Sequence, residues 1–128
     1  MPALEPLVGR RVVGDPAALD GAIWSGRDVV ILRFAPDEAF GIGATAVQVD
    51  DEHAIDEPEA GFVGAVLTKD DLADVVAHID WSSPADRSTV AQGKVAGVPA
   101  KLLIGDPSLL VTHAAYAGEL ADRLGWSA

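Results

Sequence analysis

Along this chain the spacing of apolar residues changes several times, and each change predicts an element. Residues 28 to 34 read Asp-Val-Val-Ile-Leu-Arg-Phe, with four aliphatic side chains in a row from Val29 to Leu32. Such a run predicts a strand covered on both faces. Ahead of it, Arg11-Val12-Val13 predicts a short strand. Gly14-Asp15-Pro16 then predicts a helix start, with Asp15 as N-cap and Pro16 at the first helical position. That helix is expected to reach about Trp24 and to bury Leu19, Ala22 and Ile23. Ala35-Pro36-Asp37-Glu38 is a turn, because the fixed φ of proline suits it. Ala39 to Val49 continues as extended chain, and Gly61 to Leu67 forms a further strand.

Thr68-Lys69-Asp70-Asp71 opens the best-marked helix. Thr68 can cap the first turn while Asp71, three residues on, replaces the usual Glu of a capping box. Leu72, Val75, Val76 and Ile79 then form one apolar stripe, and Trp81-Ser82-Ser83-Pro84 stops the helix. Residues 89 to 104 read as strand in two pieces, interrupted near Gly97. Gly105-Asp106-Pro107-Ser108 turns the chain into Leu109-Leu110-Val111. Thr112 is expected to cap a last helix that buries Ala117, Leu120, Ala121 and Leu124 and ends at Gly125. These elements predict the α+β class, with antiparallel sheet built of hairpins and about three packed helices in a single domain over residues 1–128. Residues 1–27 form an N-terminal extension with a short helix.

Composition narrows the possible partners. The chain has 128 residues, the length of one ordinary domain. Twenty acidic residues against nine basic ones give a formal charge of −11, which repels phosphate backbones and anionic membrane. Nucleic acid and membrane are therefore excluded as expected partners, and a protein partner or homo-oligomer is expected instead. No apolar run approaches the ~20 residues a spanning helix needs. No charged n-region precedes an apolar core, so no secretory signal is expected and the expected location is the cytoplasm. Cysteine is absent, which removes disulfides and thiolate metal sites.

Gly41-Ile42-Gly43-Ala44-Thr45-Ala46 fits G-x-G-x-x-A, a pattern that can open a dinucleotide site. The pattern needs a following helix N-terminus to face the pyrophosphate. Val47-Gln48-Val49-Asp50-Asp51 follows instead, so the two glycines are expected in a strand beside a bulge or a close crossing. Asp50, Asp51, Glu52, His53, Asp56, Glu57 and Glu59 offer oxygens to a hard cation but lack EF-hand spacing, and a solvated acidic loop is the plainer reading. His53, His78 and His113 lack metal-ligand spacing, so no metal and no cofactor is expected. His78 is expected exposed, and His113 stands after a strand at a helix start, where a catalytic role is conceivable but no partner is visible. Trp24, Trp81 and Trp126 each stand at the end of a predicted helix. There tryptophan serves equally as packed rim or as interface. No catalytic constellation rises above these readings.

Taken in order, several segments resemble the gamma subunit of heterotetrameric sarcosine oxidase, within the aminomethyltransferase-like (glycine-cleavage T-protein) group. They are Leu32-Arg33-Phe34-Ala35-Pro36-Asp37-Glu38, then Ile55-Asp56-Glu57-Pro58 leading into residues 61–67 and the helix from Thr68. Ala91-Gln92, Gly97-Val98-Pro99-Ala100-Lys101-Leu102-Leu103 and the closing strand and helix complete the set. The resemblance covers roughly residues 28–126, although Ala39 replaces a frequent tryptophan and Glu57 a serine. It implies a small subunit without a catalytic centre of its own. The flavin, nicotinamide and folate chemistry of that enzyme belongs to its larger subunits. It further implies docking through Trp24, Trp81 or Trp126, with Asp56 as the ligand-binding candidate. The alternative is a stand-alone folate- or small-ligand-binding protein linked to one-carbon metabolism.

Overall fold

A computed structural model describes residues 2–79 and 90–126. In chain order its elements are β1 (Glu5–Val13), α1 (Pro16–Asp20), β2 (Ile23–Ala35), β3 (Glu38–Gln48), β4 (Ile55–Leu67) and α2 (Lys69–Val76). There follow β5 (Val90–Val95), β6 (Val98–Leu103), β7 (Ser108–His113), a 3₁₀ turn (Ala114–Tyr116) and α3 (Ala117–Leu124). The α+β class with antiparallel hairpins is as the sequence predicts, and three α-helices stand among the described residues. By internal contacts the chain divides into two compact units, Leu7–Ala60 and Met1–Pro6 with Gly61–Ala128.

In the Leu7–Ala60 unit, β2 pairs antiparallel with β3, and β3 with β1. The β2–β3 hairpin closes on Pro36 and Asp37, where the turn was expected, with Ala35 opposite Glu38. Phe40 and Leu32 face each other across this hairpin and are fully buried, with Phe34 beside them. The run Val29 to Leu32 is nonetheless not covered on both faces. β2 ends the strand order, and Val30 and Ile31 are 42% and 47% exposed. The first helix is also shorter than expected. Asp15 does cap it, accepting from Ala18 N at 3.2 Å, but the helix stops at Asp20 before Gly21. Ile23 and Trp24 pair instead with Gln48 and Val47, because a β-branched and an aromatic residue are better satisfied in a ladder than in a sixth helical position.

This pairing explains the two glycines. Trp24 lies flat on β3, and a methyl group at Gly41 would overlap its six-membered ring. Gly43 has φ +81° and sits where three residues of β2, Arg27 to Val29, bulge opposite it between the Gly26–Ala44 and Val30–Ile42 pairs. The expected bulge and close crossing are both present, and no helix follows.

The acidic stretch 50–59 is only partly a loop, which corrects the expectation. From Ile55 onward it is strand, because cross-strand arginines neutralise it. Arg10 Nε donates to Asp56 Oδ1 at 2.6 Å, and Arg11 reaches Glu57 at 3.4 Å and Glu38 at 2.5 Å. Asp51 stays in the loop and accepts from Asp15 N at 2.8 Å and His53 N at 2.9 Å. The donor of Asp15, then that of His53, holds the Asp51 carboxyl below the usual carboxylate range.

In the Gly61–Ala128 unit, β4 pairs antiparallel with β7, β7 with β6, and β6 with β5. One face of this sheet buries Ala65, Val95, Val98, Leu102 and Leu110 against Val75 of α2 and Leu120 of α3. The capping box forms as expected: Asp71 N donates to Thr68 Oγ1 at 3.1 Å and Thr68 N to Asp71 Oδ2 at 3.0 Å. α2 ends at Val76, earlier than its stripe suggests, as His78 N turns onto Val75 O and His78 O accepts from Ala96 N at 3.0 Å. Trp81 and the helix stop Trp81–Pro84 lie outside the described residues. Thr112 does not cap the last helix. It is a strand residue, and the chain passes from β7 through the 3₁₀ turn before α3 begins. Gly125 closes α3 with φ +73°, as expected. No described helix is long and apolar enough to cross a membrane.

Replacing Gly41 by Ala should cost about 1–3 kcal/mol, because the new methyl must displace a packed ring, and should shift tryptophan emission in a urea titration. The Asp51 carboxylate contributes stability that is fully present above its unfolded pKa, ~3.9. That stability is lost as pH falls through the lower folded value. The melting-temperature difference between the native chain and Asp51→Asn should accordingly be present at neutral pH and shrink below about pH 4.

Candidate functional site

Alternation along the β4–β7–β6–β5 sheet sends Val95, Leu102 and Leu110 to the core and so places their neighbours on the other face. The register fixes which ones meet. Gln92 stands opposite Lys101, Lys101 opposite Val111, and Val111 opposite Gly64. One row away, Lys94 stands opposite Pro99, and Phe62 opposite His113. Phe62, Gln92, Lys94, Pro99, Lys101, Val111 and His113 line a cleft of about 360 Å³.

The cleft opens where the β6–β7 ladder runs out. Its pairs run from Leu103–Leu109 to Lys101–Val111 and stop short of Pro99. Proline has no N–H to donate, so a ladder cannot be continued through it from that side. Thr112 occupies the gap: its buried hydroxyl donates to Pro99 O at 2.8 Å. Two strands thus stay joined by one side chain where their backbones no longer pair, and Pro99, Ala100, Thr112 and His113 line the opening.

Its polar and apolar ends are distinct. On β5 and β6, Lys101 Nζ donates to Gln92 Oε1 at 2.9 Å, and Lys94 lies on the same face two residues from Gln92. On β4 and β7 the Phe62 and His113 rings stack at 4.7 Å between centroids and 26° between planes. Tyr116 meets His113 edge-on at 6.1 Å. Val111, 1% exposed, and the ring of Pro99 supply apolar wall. Of the three lysines in the chain, two line this cleft, and among the described residues none that line it is acidic.

Of the described residues singled out by sequence, His113 lines this cleft and the others fall elsewhere. Asp56 lies on β4 within the Leu7–Ala60 unit, held by Arg10 through Nε and, at its backbone carbonyl, through a second guanidinium nitrogen. Trp24 packs on Gly41, and Trp126 packs against the core that contains Leu120. His53 and His78 are exposed, and His78 Nδ1 lies 2.8 Å from Asp74 O. Among the described residues no three His, Asp or Glu side chains group as a metal site. A second cavity lies beside the start of α2, next to Thr68, Lys69 and the turn Gly105–Ser108. There Thr68 N donates to Asp71 within the capping box, and Gly105 N donates to Ser108 Oγ.

Sequence reasoning passed over Lys94, Lys101, Gln92 and Phe62. The signal was present as two i, i+2 pairs, Gln92/Lys94 and Pro99/Lys101, on consecutive predicted strands of an acidic chain. The sequence matches no protein-family model and no curated protein.

Removing the hydroxyl with Thr112→Val should cost about 1–3 kcal/mol in chemical denaturation, because the Pro99 carbonyl loses its partner in a buried setting. Amide exchange should quicken at the β6–β7 end while α2 stays protected.

Proposed function

We propose that the chain is a binding module whose Gly61–Ala128 unit takes a small organic anion in the Lys94–Lys101 cleft. One observation carries this reading: a chain of charge −11 places two of its three lysines beside one cleft that, among the described residues, has no acidic lining. Ligand sites characteristically combine apolar wall with a few converging polar groups in a volume of this order. The reading follows the expectation of a small-ligand-binding protein linked to one-carbon metabolism. Tetrahydrofolate, whose glutamate tail carries carboxylates, is the first ligand to titrate on the strength of the resemblance.

A second reading, a small subunit docking on a larger protein, has support in the Leu7–Ala60 unit. There β2 is an edge strand carrying exposed Ile23, Val30 and Ile31. Edge strands with apolar side chains invite pairing with another chain. The bulge at Gly26–Val30 interrupts that edge, which favours the cleft as the principal site.

Calorimetric titration of the intact chain with small carboxylates, tetrahydrofolate among them, should give saturable binding with Kd below about 1 mM, weakening as salt rises. Lys94→Glu with Lys101→Glu should abolish it without lowering the melting temperature. Absence of heat with every carboxylate at low salt would overturn the reading. The double variant used as bait in a native pull-down addresses docking: stoichiometric recovery of a large partner would favour the edge strand.

A further inference from the structure

We infer that the ligand of this cleft is a one-ring aromatic acid, lying across the strands with its anionic group at Lys101 and Gln92 and its ring beside the Phe62–His113 stack. This rests on the anion-binding reading above and adds the ligand's shape and direction.

Strand register sets the direction. Both ammonium groups and the Gln92 amide belong to β5 and β6, while both stacked rings belong to β4 and β7. Neighbouring strands lie about 4.8 Å apart, so Lys101 on β6 and Phe62 on β4 are separated by roughly 10 Å across the sheet. One aromatic ring with a short acid-bearing arm spans that distance. A small aliphatic dianion would sit at the lysine end and leave the aromatic end unused.

The chemistry of the two ends agrees with this. Lys101 is bonded to Gln92 Oε1, which fixes the amide oxygen toward the ammonium, and the amide NH₂ and the ammonium are both donors. Paired donors of this kind suit the two oxygens of a carboxylate. β6 lies between β5 and β7 in antiparallel ladders, so at Lys101 the anion is met by side chains rather than by a nest of amides. At the far end His113 is exposed and already stacked, with Tyr116 edge-on, leaving a π-surface at the cleft rim. Aromatic groups prefer such offset or edge contacts. Between the two ends the wall is Val111 and Pro99, without charge among the described residues.

The test is a ¹⁵N–¹H NMR titration of the whole chain with four probes at equal ionic strength: phenylacetate, succinate, inorganic phosphate and benzyl alcohol. Phenylacetate should bind about tenfold more tightly than succinate or phosphate, the amount one aromatic contact supplies. It should shift amides of β5–β6 and of Phe62 and His113 together. His113→Ala should weaken phenylacetate several-fold and leave succinate unchanged. If succinate or phosphate binds as tightly as phenylacetate, the aromatic assignment is wrong while anion binding stands. If benzyl alcohol matches phenylacetate, or if no probe binds, the anion-binding reading itself falls.

Discussion

The register of the β5–β6 hairpin is the constraint on which the Gly61–Ala128 unit depends. Side chains alternate across a strand, so a slip of one residue would turn Lys94 and Lys101 into the core and Val95 and Leu102 out of it. Two residues, Ala96 and Gly97, close the hairpin, with φ of +50° and +81°. Positive φ at both central positions is what a tight hairpin turn of matching twist requires, and alanine accepts it only at some cost. Tertiary contacts offset that cost. Ala96 N donates to His78 O at 3.0 Å, and Ala96 O accepts from Arg123 at 2.7 Å, so the ends of α2 and α3 both hold this turn. Gly97 leaves room for the guanidinium.

Charge is sorted by residue type. In the Leu7–Ala60 unit arginine serves the architecture: Arg10 and Arg11 join β1 to the acidic start of β4, and Arg33 ties Asp20 and the carbonyls of Pro16 and Pro36 together. The planar fork of arginine suits several fixed acceptors at once. These pairs are partly exposed, so each is worth about 0–1 kcal/mol, and their effect lies in making an acidic stretch tolerable as strand. Lysine, a compact charge on a flexible stem, is found instead at the cleft.

Much of the architecture is legible in local chemistry. The capping box at Thr68, the αL stop at Gly125, the turn at Pro36 and the break near Gly97 each depend on residues within a few positions of one another. Misreadings arise where a distant residue competes. Trp24 looks like a helix end until Gln48 and Val47 offer a ladder and Gly41 offers a flat seat. Residues 55–59 look like solvated loop because Arg10 and Arg11 lie more than forty positions away. Thr112 has the side chain of a cap, but the Pro99 carbonyl claims its hydroxyl. His113 was marked by its place after a strand, yet its stacking partner Phe62 could not be named without the β4–β7 register.

By itself the sequence determined the class of fold, the antiparallel hairpins, most of the caps and turns, and the failure of the glycine pair as a dinucleotide motif. These follow from φ preferences, periodicity and short-range hydrogen bonds, which neighbouring residues settle among themselves. Only the tertiary structure decided which face of each strand is covered, where acidic residues find counter-charges, and that Lys94, Lys101, Phe62 and His113 share one cleft. Cross-strand registers join residues far apart in the chain, and no local preference encodes that choice.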